Sequence, residues 1–151
     1  MEKPAYSLES SADNTFYFFE SIGEKSIRKA IGYIPFQDNP KIVELVFGDL
    51  TDTYSIDFMT VSDNQDMKMV ISTVIKSVKL FLSKYPNKII YFRGSTPSRT
   101  RLYRAVIAKN IDATELFYDI LGILENEQSE PFNKHNSYIG YLIIKKDERD
   151  N

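Results

Sequence analysis

The chain has 151 residues, 42% hydrophobic and 26% charged, the proportions of a folded domain with one core, which exclude disordered, collagen-like and low-complexity classes. It has no cysteine and a single histidine, His135, so thiolate nucleophiles, iron–sulfur clusters, cysteine zinc sites and HExxH centres are excluded. The net charge of −2 hides an asymmetry: Met67 to Ile111 carries ten Lys and Arg with no Asp or Glu, leaving nine basic residues elsewhere against all 21 acidic ones. Such a block either forms a basic surface that attracts phosphate, nucleic acid or an acidic protein, or pairs with the acidic remainder inside the fold.

Residues 1–11 lack a basic start followed by an apolar run, and the apolar stretch 67–85 is interrupted by Lys68, Lys76, Lys79 and Lys84. Neither a signal peptide nor a membrane span is expected, which points to a cytoplasmic protein. Without a linker or an internal repeat, the chain reads as a single domain over 1–151, with 1–11 and 147–151 as flexible ends.

In chain order, 15–22 is rich in aromatic and β-branched residues, and Gly23-Glu24-Lys25 turns it into 26–35 as a β-hairpin. Gln37-Asp38-Asn39-Pro40 is a second turn. A third strand follows at 41–47, with Val43, Leu45 and Phe47 on one face and Ile42, Glu44 and Val46 on the other. Residues 54–59 read as a short fourth strand. At Ser62 the character changes: Ser62 and Gln65 have capping-box spacing, and Asp63 and Asp66 complement a helix N-terminus. The helix predicted from there carries Met67, Val70, Ile71, Val74, Ile75, Val78, Phe81, Leu82 and Tyr85 on one face, and Pro86 ends it. A strand at 88–93 leads to a second helix running to about Lys109, with Ser95 or Thr96 as its cap and Pro97 in its first turn. Residues 116–124 fit either strand or helix, with strand favoured by Phe117, Tyr118, Ile120 and Ile123; 125–136 read as a mobile acidic loop, and 137–146 as a final strand. The predicted order is β-β-β-(β)-α-β-α-β-β, an α+β fold whose mostly antiparallel sheet is covered on one face by two helices.

Four of the six arginines lie in Arg93-Gly94-Ser95-Thr96-Pro97-Ser98-Arg99-Thr100-Arg101-Leu102-Tyr103-Arg104. A strand end, a glycine turn, hydroxyl residues and a helix N-terminus present free backbone N–H groups, and arginines add bidentate donors, the physical basis of an anion site. The candidate ligand-binding residues are therefore Arg93, Gly94, Ser95, Thr96, Arg99, Arg101 and Arg104. Helical phase places Arg101 and Arg104 toward solvent and Arg99 inward, where it requires an anionic ligand or a carboxylate such as Asp49, Asp52 or Asp57. Neither a Walker loop nor a GxGxxG fingerprint is present, and no cofactor is expected.

Together with Phe47-Gly48-Asp49 and the Ser62-Asp63-Asn64-Gln65-Asp66 helix start, the segment Tyr91-Phe92-Arg93-Gly94-Ser95-Thr96-Pro97-Ser98-Arg99-Thr100-Arg101-Leu102-Tyr103-Arg104 resembles a family of bacterial proteins of about this length, a domain of unknown function. The resemblance covers most of the chain. It implies a small intracellular bacterial protein and brings no catalytic residues with it. The RxxGxG/A loop of N-acetyltransferases is absent.

Three functional readings follow. The first is a noncatalytic binding domain whose arginine segment engages a phosphate-bearing ligand, nucleic acid ahead of a small nucleotide. The second is a protein-interaction module, one half of a two-gene regulatory pair of toxin–antitoxin type, whose basic face receives an acidic partner. The third is a metal-dependent phosphodiesterase or nuclease in which Asp49, Asp52, Asp57, Asp63 and Asp66 converge on Mg²⁺, although helix-start and turn roles already account for several of them. The oligomeric state is left open.

Overall fold

Aromatic and β-branched residues dominate 16–22 and 26–35, and both segments are strands in a computed structural model of the chain, which describes residues 4–51, 56–57, 66–93, 100–101, 104–105, 107–108 and 117–146. The described residues divide into two compact units. The first comprises 1–34 and 45–86, the second 35–44 and 87–151.

In the first unit β1 (Glu9–Ser10), β2 (Phe16–Ile22), β3 (Ser26–Pro35) and β4 (Ile42–Leu50) are successive neighbours, and β5 (Ile56–Asp57) pairs antiparallel with the end of β4. The β2–β3 hairpin sets Tyr17 opposite Ile31 and Phe19 opposite Lys29. Because side chains alternate along a strand, Tyr17, Phe19, Ser21, Lys29, Ile31 and Tyr33 share one face, and all six are buried. Helix α1 (Met67–Lys84) belongs to this unit. Its buried residues Val70, Thr73, Ser77, Val78, Phe81 and Leu82 recur at helical spacing. Phe81 stacks on Tyr33 with centroids 4.2 Å apart, and the Tyr33 hydroxyl lies 2.7 Å from Ser77 Oγ. Thr73 and Ser77 are tolerated in this core because each donates to a carbonyl of its own helix, Met69 and Val74, at 2.7 Å.

The second unit holds the first residues of β4, then β6 (Ile89–Phe92), β9 (Gly140–Lys145), β7 (Tyr118–Ile123) and β8 (Ser129–Pro131), in that spatial order. Its registers, among them Val43 with Ile90, Phe92 with Tyr141 and Tyr141 with Gly122, put Val43, Ile90, Tyr118 and Tyr141 on one buried face. The opposite face carries Ile42, Ile89, Tyr91, Leu121, Ile123 and Leu142, all half-buried.

Several expectations are corrected. The fold is mostly sheet, with one complete helix among the described residues rather than two helices covering a sheet. Of the second predicted helix, 100–101, 104–105 and 107–108 have helical backbone but make up no second complete element. The sheet is mostly antiparallel, as expected, with one parallel pair among the registers: β4 and β6 run parallel, and the chain between them contains α1, the long crossover that a parallel pair requires. Residues 125–136 are not simply a mobile loop. They contain β8, joined to β7 by a turn in which Glu127 takes φ of 70°, the Leu124 amide donates to the Gln128 carbonyl and the Glu127 amide to the Leu124 carbonyl, each at 2.8 Å. β8 ends at Pro131, a residue that suits a short edge strand. Helix α1 begins at Met67, and Asp66 at its N-cap makes no side-chain cap bond. The Ser62 and Gln65 capping box and Asp63 lie outside the described residues.

Candidate functional site

The arginine segment starts at the end of β6 in the second unit. Arg93 is exposed. Gly94, Ser95, Thr96 and Arg99 lie outside the described residues, and with them the inward-facing arginine of the sequence reading. Thr100 is buried, and its carbonyl accepts the Tyr141 hydroxyl at 3.2 Å. Arg101, next in the chain, is exposed. Arg104 is half-buried rather than fully solvent-facing: its Nη1 donates to the Asn136 carbonyl at 3.2 Å and to Ser137 Oγ at 3.1 Å. The segment thus has two anchors, Thr100 and Arg104, and two exposed arginines, Arg93 and Arg101.

What holds Arg104 is a polar cluster around β8 and the β8–β9 connection. Tyr138 donates to Glu130 Oε1 at 2.8 Å and accepts from the Asn133 amide at 2.9 Å, while Asn136 Nδ2 donates to the same Glu130 oxygen at 2.6 Å. The bonds from Asn136 and Tyr138 hold the Glu130 carboxyl below the ordinary carboxylate range. Burial, offset in part by the field of Arg104, pushes the Tyr141 hydroxyl up to about 12, so it stays a protonated donor to Thr100. Sequence reading missed these partners because Glu130, Asn136 and Ser137 sit in a stretch rich in loop formers, where nothing in the spacing announces a contact.

A second constellation lies in the first unit. Lys29 is 1% exposed, its Nζ is 2.6 Å from Asp49 Oδ1, and it stands 5.5 Å from the centroid of the Phe47 ring. Nearby, Asp66 Oδ2 accepts the hydroxyls of Tyr6 and Ser21, each at 2.5 Å. Residues 1–11, read as a flexible end, therefore supply Tyr6 to this network, and the Tyr6 amide donates to Thr73 Oγ1 at 2.8 Å. The signal for Lys29 was available in the sequence, since it falls in the apolar alternation with Ile31 and Tyr33.

Asp49 and Asp66 thus serve a lysine and two hydroxyls. Asp52, Asp63 and the side chain of Asp57 lie outside the described residues, among which no three His, Cys, Asp or Glu residues are placed to hold a metal. Burial pushes the Asp66 carboxyl up, but Ser21, Tyr6, its own amide and the charge of Lys29 outweigh it and hold the group below the ordinary range. A carboxyl depressed in the folded state contributes stability that is present above its unfolded value, about 4, and is lost as pH falls through the folded value. Asp66→Asn is therefore expected to flatten the loss of stability below about pH 4 in urea titrations; an acid limb identical to that of the unaltered chain contradicts this role.

The half-buried sheet face of the second unit, opposite the one that holds Tyr141, carries an open groove of about 580 Å³, lined by Phe36, Ile42, Tyr91, Ile123 and Leu142 with Gln37, Asp38 and Asn39. His135 is exposed and lines no part of it. No helix among the described residues is long and apolar enough to cross a membrane.

By class, the described residues form a mostly β fold with one helix. Over residues 2–146 the chain matches the model of a family of unknown function (DUF6934) and belongs to that family. No curated protein and no solved structure matches it.

Proposed function

We propose that this is a small, noncatalytic binding domain of the bacterial cytoplasm that engages a phosphate-bearing ligand, nucleic acid ahead of other sources, through the segment Arg93 to Arg104. The observation that carries the reading is the division of labour within the segment. Thr100 and Arg104 are tied to Tyr141, Asn136 and Ser137, while Arg93 is exposed just past the end of β6. An exposed guanidinium next to a strand end suits phosphate oxygens, because much of the cost of ordering the chain there is met by the fold rather than by the ligand. The absence of acidic residues from Met67 to Ile111 favours a polyanion in the same way, and Lys76 and Lys79 of α1 are exposed within that block.

A random single-stranded oligonucleotide is expected to bind with an affinity that falls steeply between 50 and 200 mM salt, as counterion release demands. Arg101→Ala is expected to weaken binding and reduce the salt slope by about one contact. Lack of any oligonucleotide binding at the lowest salt, with the protein folded, overturns the reading and leaves the acidic protein partner as the alternative. Mg²⁺-dependent degradation of the oligonucleotide overturns its noncatalytic part.

A further inference from the structure

The groove on the second unit's sheet face extends what this site can recognise. Strand alternation and register put Ile42, Tyr91, Leu142 and Ile123 on one face, and the ring of Phe36, 38% exposed, meets Tyr91 edge-on with centroids 5.8 Å apart. Tyr91 is seated on β9 through Gly140: a Cβ added there would lie 3.1 Å from Tyr91 Cε2 and 3.4 Å from its hydroxyl oxygen. The missing side chain lets the ring lie close over the strand. The turn before β4 adds Gln37, Asp38 and Asn39 to the same groove, so an apolar floor is bordered by amide donors and carbonyl or carboxylate acceptors. Two residues beyond Tyr91 stands the exposed Arg93.

We propose that this groove receives a base of a single-stranded nucleic acid, with Phe36 and Tyr91 as the aromatic contacts, the Gln37 to Asn39 turn facing the base edge, and Arg93 taking an adjoining phosphate. The inference rests on the reading of the arginine segment as a phosphate site and specifies its ligand. The pairing of chemistries is the argument. A planar heterocycle has apolar faces that suit an aromatic floor, and an edge of donors and acceptors that suits amides and a carboxylate. Its attached phosphate suits a guanidinium. A base would engage both the aromatic floor and the polar turn, whereas a wholly apolar ligand or a bare phosphate would engage only one of them. A duplex, whose bases are stacked away, offers no face to the groove.

Fluorescence anisotropy with three labelled probes of equal length tests this: a mixed-sequence single strand, the same backbone with abasic sites throughout, and the duplex. The single strand is expected to bind on the order of ten-fold tighter than the abasic strand, with Phe36→Ala and Tyr91→Leu each removing most of that advantage while leaving abasic binding unchanged. Arg101→Ala should weaken both probes. Circular dichroism melts of Phe36→Ala, altered at a partly exposed position, show that the loss is not unfolding. Equal binding of the base-bearing and abasic strands overturns the groove inference and leaves the phosphate reading standing, as does preferential binding of the duplex. Failure of every probe overturns both. Competition by free nucleoside monophosphates at micromolar concentration, matching the single strand, overturns the assignment to a nucleic-acid strand.

Discussion

Lys29→Met is expected to lower the stability of the folded chain by about 3–5 kcal/mol, the usual consequence of removing one partner of a buried ion pair. Lys29 is 1% exposed and the side chain of Asp49 17% exposed, so the carboxylate left behind has little water to replace the 2.6 Å contact. Methionine keeps the length of the stem and its packing against the Phe47 ring, which confines the loss to charge. The field that helps hold Asp66 ionised disappears as well. At roughly 2–4 °C per kcal/mol for a chain of this size, thermal unfolding should fall by on the order of 10 °C. The double change Lys29→Met with Asp49→Leu should recover much of this, because a neutral pair of similar volume leaves no stranded charge. A fall below about 1 kcal/mol for the single variant would show the pair to be effectively solvated.

Gly122→Val in β7 should be nearly as damaging, for a steric reason. A Cβ at position 122 would sit 2.5 Å from Tyr138 Cζ, with Cε1 and Cδ1 of the same ring nearer still. The ring is 7% exposed and cannot simply swing aside. Its hydroxyl holds Glu130 and the Asn133 amide, and Glu130 in turn holds Asn136, whose carbonyl accepts from Arg104. Overpacking of this kind costs about 1–3 kcal/mol, and breaking the attached hydrogen bonds adds to it. The loss should be strongly non-additive with Tyr138→Leu, which removes the ring: Gly122→Ala in that background is expected to cost far less than in the unaltered chain. If the two costs add, the ring does not set the limit at this position. Because the network ends at Arg104, Gly122→Val should also weaken oligonucleotide binding under conditions where the protein is still folded, linking the packing of β7 to the proposed site.

The β2–β3 hairpin was legible in the chain because its determinants are local. Alternation over 15–22 and 26–35 and the Gly23-Glu24-Lys25 turn give β2 at Phe16–Ile22 and β3 at Ser26–Pro35. Helix α1 and its end before Pro86 were likewise written in periodicity and in Pro86, and so was the strand character of β6 and β9, whereas β7 was decided between strand and helix only by its β formers. Family membership, too, followed from sequence over residues 2–146. What periodicity does not encode is pairing. The parallel alignment of β4 with β6, and the folding of 125–136 into β8, depend on which edges meet, and that is decided by the sum of long-range contacts rather than by any window of residues. The site divides along the same line. Composition and spacing single out Arg93 to Arg104 as the place where positive charge gathers. Only tertiary structure separates its anchors from its outward groups, because a hydrogen bond from Arg104 to Asn136 and Ser137 joins residues more than thirty positions apart. The groove on the other sheet face is likewise assembled from four separate stretches, the turn into β4 with Ile42 and strands β6, β7 and β9, whose aromatic and apolar residues look like ordinary sheet composition until the register brings them to one face.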